Sequence, residues 1–353
     1  MNALNDQLAK LHVLSLAPLD DPNLLGSYAR AFRGMGCRIS SYSLTDAIQR
    51  HARLGRIGRR AASFFPIESW IRKGNKELLL HLLELKPDVV LVPASLPVLA
   101  GCLAQLKASM PDCRAVLIWP DTLLNLAPHT VQCLPLYELV ASYSRAAVPV
   151  LQKLGAREIE WVPFAADPFL FPKDVKIDAT ENERFDCEVC FVGNWRPERE
   201  RAILSLVSAG VTVKVWSHPY WLKLCSDRRQ AERYLRQGPI FGRELAKAFR
   251  GAKISLNTID ATNYPAANMR FFEGPACGAA TLNSPCPEMA TGFPEGEAAF
   301  YYHHDDELVP TVRRLLRDDT HRLRVARAAQ DLVLKEHTYQ HRAELILRRL
   351  SLA

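Results

Sequence analysis

Two short apolar runs, DVVLV (88–92) and AVLIW (115–119), constrain the fold of this chain more than any other feature of its sequence. Side chains alternate between the two faces of a strand, so an almost wholly apolar run predicts a strand covered on both faces. Helical patterns separate such runs along the first half of the chain, for example from about residue 23 to residue 35. Strands that alternate with helices predict a parallel sheet with helices on both faces.

This alternation stops in residues 167–186 and begins again beyond them. The segment, DPFLFPKDVKIDATENERFD, is polar and contains two prolines, which is typical of a linker between domains. A chain of 353 residues is long enough for two domains of roughly 150 to 180 residues, each with its own core. The predicted fold class is α/β, with Rossmann-like domains at 1–166 and 187–335 and a parallel sheet in each.

The composition is that of a soluble globular enzyme. Apolar residues make up 48% and charged residues 24% of the chain, and the formal net charge is +7. Arginines cluster in RLGRIGRR (53–60) and near the C-terminus. Such clusters can bind an anionic small molecule, contact a membrane surface peripherally, or simply face solvent. The N-terminus has no secretory signal pattern, and prolines interrupt the longest apolar stretch. We therefore expect a cytoplasmic protein that spans no membrane and has no nucleic-acid partner.

Nine cysteines are scattered among apolar neighbours, which indicates reduced thiols in a cytoplasm. Cys187 and Cys190 have the C-x-x-C spacing, but they lie in a predicted strand. Residues three apart in a strand point to opposite faces and cannot bind one metal ion, so we interpret both as buried packing. No metal site is predicted.

Loops that follow the strands of the second half contain the candidate binding residues, since ligands of open α/β sheets bind at the carboxyl ends of the strands. In VGNWRPERER (192–201), Gly193 and Asn194 form a turn and Arg196 lies at the start of a helix. An arginine beside the amides of a helix start suits an anionic oxygen cluster. The same arginine could equally be a solvated side chain.

A second loop, WSHPYW (216–221), groups aromatic residues directly after a strand. Such residues offer a flat surface for a base or a sugar, or they fill the space under a loop. His218 is the candidate ligand contact here.

The third loop, from 256 to 280, places a carboxylate in an otherwise apolar segment. Asn257 ends a strand, and a helix is predicted to start at 266–268 and to end before Gly278. Glu273 would then lie roughly 7 to 8 Å along the helix axis from its start, about the distance from a bound diphosphate to the ribose of the same nucleotide. A carboxylate accepts two hydrogen bonds, which suits a ribose diol.

Three motifs in order resemble one enzyme family. They are GRELAKAFRGAKISLN (242–257), RFFEGPACGAATL (270–282) and KEHTYQHRAE (335–344). Together they resemble the C-terminal half of the group 1, CgeB-like (spore-maturation-type) glycosyltransferases, over about residues 187–348.

The resemblance implies a GT-B enzyme, with two Rossmann-like domains that face each other across a cleft. The C-terminal domain would bind a nucleotide-sugar and the N-terminal domain the acceptor, and residues 336–353 would form a helix that returns to the N-terminal domain. By the same resemblance, Glu273 binds the ribose. An acidic residue eight positions earlier contacts the sugar in related retaining enzymes, but this chain has Pro265 there.

Sugar transfer requires positive charge near the leaving diphosphate. The chain has no evident Asp-x-Asp metal site, so we expect protein groups to supply this charge without a metal. The candidates are Arg196, Arg270 and the helix start near Asn268, with Arg199 and Arg201 as secondary ones. Asn268 could equally be only a helix cap. Asn257 and the Gly193–Asn194 turn complete the predicted donor site.

An inverting reaction also needs a general base. Asp121 follows the strand AVLIW and is one candidate, although it could instead cap the next turn. Asp21 is the other, with Asp20 beside it, although a position before Pro22 is typical of a turn residue.

The sequence therefore predicts a glycosyltransferase that moves a sugar from a nucleoside-diphosphate sugar to a glycan, lipid or protein acceptor. Bacterial glycan biosynthesis would be its setting, and no cofactor is expected besides the donor substrate. A GT-B sugar-nucleotide epimerase and a catalytically degenerate GT-B binding scaffold are the alternatives.

Overall fold

The computed structural model describes residues 8–19, 22–51, 67–236 and 238–352 of the chain. These residues belong to two compact units. The first comprises Met1–Pro163 together with Tyr339–Ala353, and the second comprises Phe164–Thr338. Each unit contains a parallel sheet with helices, which confirms the predicted α/β class.

A parallel sheet forms the centre of the first unit. Its strands are β1 (His12–Ser15), β2 (Arg38–Ser41), β3 (Val89–Pro93), β4 (Arg114–Trp119), β5 (Leu139–Ser142) and β6 (Ile159–Trp161). They lie in the order β2-β1-β3-β4-β5-β6. The helices between them are α1 (Leu24–Gly34), α2 (Leu44–Arg50), α3 (Glu68–Leu85), α4 (Ala100–Ser109), α5 (Pro128–Cys133) and α6 (Val148–Lys153). β3 and β4 are buried along almost their whole length, as their apolar runs predict.

The second unit repeats this design. Its strands are β7 (Cys187–Val192), β8 (Val213–Trp216), β9 (Ala252–Asn257), β10 (Thr281–Asn283) and β11 (Phe300–Tyr301). They pair in parallel in the order β11-β10-β9-β7-β8. The helices are α7 (Asn182–Phe185), α8 (Pro197–Ser208), α9 (Trp221–Leu224), α10 (Arg228–Tyr234), α11 (Gly242–Gly251), α12 (Arg270–Ala276), α13 (Pro287–Ala290), α14 (Asp305–Arg317) and α15 (Asp319–Glu336).

The last helix, α16 (Tyr339–Arg349), belongs to the first unit. The ring of Tyr339 packs edge-on against Tyr28 of α1, with the centroids 5.1 Å apart. The buried Arg342 donates its Nε–H to the carbonyl oxygen of Pro163 at 2.9 Å. These contacts join the C-terminal end of the chain to the first unit.

Two segments differ from the sequence interpretation. Residues 167–186, interpreted as a linker, are grouped with the second unit, where Phe171 and Phe185 are buried. The sequence pattern after WSHPYW predicts a helical stretch through Gln237, but the structure has two short helices there, α9 and α10, because the chain leaves the helical conformation at Cys225. Gln237 itself lies outside the described residues.

All nine cysteines are free thiols, and Cys187 and Cys190 are buried in β7, as interpreted. Burial raises the pKa of the Cys187 thiol to about 12. Among the described residues, no helix has the length and apolarity needed to cross a membrane. The same residues contain no group of three or more His, Cys, Asp or Glu side chains arranged to hold a metal ion.

Candidate functional site

The strand order of the second sheet indicates where a ligand should bind. β7, the first strand of this sheet, lies between β8 and β9, so the sheet is extended to one side by β8 and to the other by β9 to β11. In open α/β sheets, ligands bind outside the carboxyl ends of the strands at such a point of reversal. The loops that follow β7 and β9 are therefore the expected site.

The loop after β7 has the predicted turn. The Gly193 N–H donates to the carbonyl oxygen of Trp216 at 3.2 Å, and Asn194 is exposed. Arg196 occupies the N-cap position of α8, with its side chain 50% exposed and no side-chain cap on the helix. Arg201 lies further along α8 and is exposed, with Nε 3.7 Å from the exposed carboxylate of Asp305. Of these two arginines, Arg196 is the one placed beside the turn.

Arg199 lies buried between the two loops. Its Nε donates to the Thr258 carbonyl at 3.1 Å, its Nη1 to the Asn194 carbonyl at 3.0 Å and its Nη2 to Asp260 Oδ2 at 3.2 Å. Burial lowers the pKa of the Arg199 guanidinium, and the Asp260 carboxylate opposes that shift. From the sequence, Arg199 is only secondary to Arg196, because side-chain burial of a helix arginine is not visible from its position.

Asp260 was not identified from the sequence. It is buried in the loop after β9, where its Oδ1 accepts hydrogen bonds from the Thr262 N–H, the Thr262 hydroxyl and the Asn263 amide. Its Oδ2 accepts a hydrogen bond from Arg199 Nη2 and lies 4.0 Å from Arg196 Nε. The only sequence signal was its position, three residues after the strand ends at Asn257.

Arg270 and Glu273 form an ion pair at the same edge of the sheet. Arg270 donates its Nε–H to the carbonyl oxygen of Val192, the last residue of β7, at 3.3 Å, and its Nη1 to Glu273 Oε2. Glu273 is only 3% exposed. Burial raises the pKa of the Glu273 carboxyl, and the charge and hydrogen bond of Arg270 counteract the shift. The glutamate that stood out in an apolar segment is thus the partner of a predicted phosphate-binding arginine.

The helix that contains this pair begins later than predicted. α12 starts at Arg270 and has seven residues, so Glu273 lies in its first turn and not about five residues in. The predicted axial separation of 7 to 8 Å falls to roughly 4.5 Å at 1.5 Å per residue. The reason is Asn268, whose side-chain oxygen accepts the Phe271 N–H at 3.3 Å outside the helix. This contact resembles the capping role that the sequence left open for Asn268, although the N-cap position itself is Met269.

A row of amide side chains orders the loop after β9. Asn268 donates to Asn257 at 2.8 Å, and Asn257 donates to Asn283 at the end of β10 at 2.9 Å. Asn257 is 2% exposed. Two of the predicted donor-site residues are therefore engaged with each other, and they hold the start of α12 against the strand ends.

Two glycines permit the close packing of α12. A Cβ on Gly274 would lie 2.8 Å from the Thr281 hydroxyl of β10, which requires the helix or the strand to shift. Gly278, the predicted C-terminal glycine, has a φ of +75°, which L side chains rarely adopt. The motif E-G-P-A-C-G thereby fixes the depth of the helix against the sheet.

His218 lies on the loop after β8 and is exposed. Its ring stacks on Tyr220, with the centroids 4.6 Å apart and the planes 18° from parallel. Its Nδ1 accepts the Tyr220 N–H at 3.2 Å. The pair presents an open aromatic surface beside the end of β8, which is one of the two arrangements considered from the sequence.

Of the candidate bases of the first unit, the structure describes only Asp121. Asp121 follows β4, and its Oδ1 accepts the Thr122 N–H at 2.7 Å. Both of its oxygens also accept the side-chain amide of Asn125 at 3.0 Å. Asp121 thus has the turn-capping contacts that were the alternative to a catalytic role. Asp21 and Asp20 lie outside the described residues.

Comparisons with known proteins agree with this fold. Residues 198–348 match the family described as glycosyl transferase-like. A search of curated proteins finds no match.

Three solved structures share the fold of almost the whole chain. Sucrose-phosphate synthase from Thermosynechococcus elongatus has a TM-score of 0.68 at 11% identity, with 96% of this chain and 98% of that chain covered. Anabaena HepE, in complex with UDP and glucose, has a TM-score of 0.65 at 12% identity, with 97% and 99% covered. A glycosyltransferase from Rickettsia africae has a TM-score of 0.65 at 10% identity, with 97% and 98% covered. The chain therefore has the GT-B fold, and its residues 198–348 are similar to the glycosyl transferase-like family.

Proposed function

We propose that this protein transfers a sugar from a nucleoside-diphosphate sugar to a glycan, lipid or protein acceptor without a metal ion. The observation that carries the proposal is Arg270, held at the switch point of the second sheet between the Val192 carbonyl and Glu273. Burial lowers the pKa of the Arg199 guanidinium, and the positive charges of Arg196 and Arg270 lower it further. Anabaena HepE, which has a similar fold and was solved in complex with UDP-glucose, supports a nucleotide-sugar as the donor.

In this reaction, the bond between the anomeric carbon and the diphosphate oxygen breaks while the acceptor oxygen bonds to that carbon. Negative charge develops on the leaving diphosphate, and positive groups that are already in place lower the barrier most effectively. We assign this role to Arg270 and Arg196. In an inverting reaction, Asp121 or Asp21 would take the proton of the acceptor hydroxyl.

We retain the ribose of the donor as the proposed partner of Glu273, as the family resemblance implies. The structure motivates a second role, in which Glu273 only orients Arg270. The variant Glu273→Ala separates the two when binding of a nucleoside and of its diphosphate is measured by calorimetry. Loss of hydrogen bonds to the ribose should weaken both ligands by about 1 to 3 kcal/mol. Weakening of the diphosphate alone would show that Glu273 acts through Arg270.

Finer assignments belong to the same proposal. The three ordered motifs favour the CgeB-like group, and the composition favours a cytoplasmic enzyme of bacterial glycan biosynthesis. The arginine-rich segments leave a peripheral membrane contact open for a lipid acceptor.

A screen of UDP-, GDP-, dTDP- and CMP-sugars by thermal shift tests the donor. We expect one nucleotide class to raise the melting temperature of the folded protein, because a ligand that binds only the folded state stabilises it. No stabilisation by any of the four classes would contradict the proposal.

A catalytically degenerate GT-B scaffold is the second candidate. It is favoured by two observations: Pro265 replaces an acidic sugar contact of the family, and the Asp121 carboxylate is occupied by Thr122 and Asn125. Donor hydrolysis with and without acceptor extracts, followed by NMR, separates the candidates. A binding scaffold leaves the donor intact, an epimerase returns an epimerised donor, and a transferase consumes the donor faster when acceptor is present.

A further inference from the structure

We propose that Arg199 and Asp260, here called the brace, are positioning residues for the anionic half of the donor. The inference rests on the proposed function, adds Asp260 to the site, and gives Arg199, a secondary candidate cation from the sequence, a positioning role instead. The brace connects the two loops at the switch point, because Arg199 on α8 reaches a carbonyl of each loop and a carboxylate of the second.

The loop after β7 depends on the brace for its shape. Arg199 Nη1 holds the carbonyl of Asn194, next to the Gly193 turn. A Cβ on Gly193 would lie 3.1 Å from the Phe191 ring and 3.8 Å from Arg199 Nη1, so the turn lies directly on these two side chains. The Gly193 turn and the Asn194 carbonyl, two residues before Arg196, therefore rest on a buried cation.

Asp260 organises the other loop, and both of its carboxylate oxygens accept hydrogen bonds from protein groups. Its Oδ1 is shared by three donors of Thr262 and Asn263, and its Oδ2 by Arg199. Its side chain is 8% exposed, whereas that of Arg196, 4.0 Å from the same Oδ2, is 50% exposed. We infer that Asp260 acts through the arginines, since it orients Arg196 toward solvent at the carboxyl edge while remaining covered itself.

This inference predicts an effect opposite to that of charge alone. The variant Asp260→Asn removes one negative charge beside an anion site, so simple electrostatics predicts tighter binding of a diphosphate. If the carboxylate positions the arginines, the variant must bind more weakly. We expect the Kd for a nucleoside diphosphate to rise about tenfold, since the hydrogen bonds that position the cations are charge-assisted.

The experiment titrates UDP, GDP and dTDP into wild type and Asp260→Asn by calorimetry. Arg199→Lys is the second variant, because lysine keeps the charge but cannot reach three acceptors in fixed directions. Its Kd should rise by a similar factor. Circular dichroism and melting curves establish that each variant is folded.

Arg322 and Asp319 supply a matched control in the same unit. Arg322 is also buried, and its Nη1 donates to the Leu315 carbonyl at 2.7 Å and to Asp319 at 2.6 Å, on α14 and α15 and away from the strand ends. Arg322→Lys should lower the melting temperature as Arg199→Lys does. It should leave the Kd for the nucleoside diphosphate unchanged.

The outcomes separate the two proposals. Weaker binding in both brace variants, with unchanged binding in Arg322→Lys, supports the brace. Tighter or unchanged binding in Asp260→Asn, or weaker binding in the control as well, overturns the positioning role and leaves the proposed function standing. If wild type binds none of UDP, GDP and dTDP, the proposed function fails first and the brace with it.

Discussion

The two parallel sheets of this protein share one design, but their carboxyl ends differ in chemistry. In the described residues of the second unit, two arginine–carboxylate pairs, Arg199–Asp260 and Arg270–Glu273, lie at the switch point. In the first unit, the described strand ends carry the capping Asp121 and a guanidinium of Arg145 that lies 3.9 Å above the Trp161 ring.

Burying charge is costly unless it is paired, so a fold keeps it mainly where it is needed. The contrast supports the anionic ligand site proposed on the second unit. The acceptor is proposed to bind to the first unit. The predictions below test this division, from the largest expected effect to the smallest.

Removing the central cation of the second unit should have the largest effect. Arg270→Met should lower kcat/KM by roughly 10²- to 10³-fold, the range found when one preorganised donor to a developing negative charge is lost. Steady-state kinetics with the donor found by the screen measures it. Arg228→Met, an exposed arginine paired with Glu232 on α10, is the control and should retain full activity. Equal activity of both variants would show that Arg270, at the charged edge of the second unit, does not contribute to catalysis.

Asp121 tests whether the first unit contributes chemistry or only a turn. Asparagine still accepts the Thr122 N–H but cannot act as a base, so Asp121→Asn separates the two roles. As the proposed base, Asp121→Asn should reduce kcat by about 100-fold with little change in the melting temperature. Asn125→Ala, which removes only the capping partner, should retain most of kcat. If Asp121→Asn keeps its activity, the base must be sought elsewhere, with Asp21 next.

The buried pair also predicts a pH effect on stability. Burial raises the pKa of the Glu273 carboxyl and Arg270 opposes this, so Arg270→Met should leave a carboxyl whose folded pKa is further above its unfolded value. The folded state then holds the proton more tightly than the unfolded state. The free energy of unfolding should therefore fall as pH rises from the unfolded pKa of about 4.3 through the folded one, by about 1.4 kcal/mol per unit of difference.

Denaturant melts of Arg270→Met at pH 5 and pH 8, each compared with wild type, measure this difference. The double variant Arg270→Met/Glu273→Gln should lose the extra pH dependence, because it has no carboxyl to ionise. An extra dependence that persists in the double variant would assign it to another group.

Metal removal should have the smallest effect. Because arginines are proposed to stabilise the leaving group, dialysis against EDTA should change kcat by less than about twofold. Loss of a catalytic metal would instead remove most of the activity. Activity that disappears with EDTA and returns with added Mg²⁺ or Mn²⁺ would contradict a metal-independent reaction.

Much of the site could be predicted from the sequence because it depends on strand ends and backbone geometry. Apolar runs predicted the buried strands, and Gly278 marked the end of α12. Arg196, Arg270 and Glu273 could be chosen as candidates because they follow strands or lie in a short helix next to one. Sequence patterns suffice to predict these features because the features depend on residues that are close along the chain.

Contacts between distant residues decided the rest. Arg199 and Asp260 are 61 positions apart, and only the adjacency of β7 and β9 brings them together. Asn268 could have been a donor-site residue or only a helix cap, and the structure adds a hydrogen bond from its side chain to the distant Asn257. The sequence by itself determined the two parallel sheets and the edge that we propose as the ligand site. The tertiary structure alone decided which charges are buried there, since desolvation and pairing depend on neighbours that only the folded chain supplies.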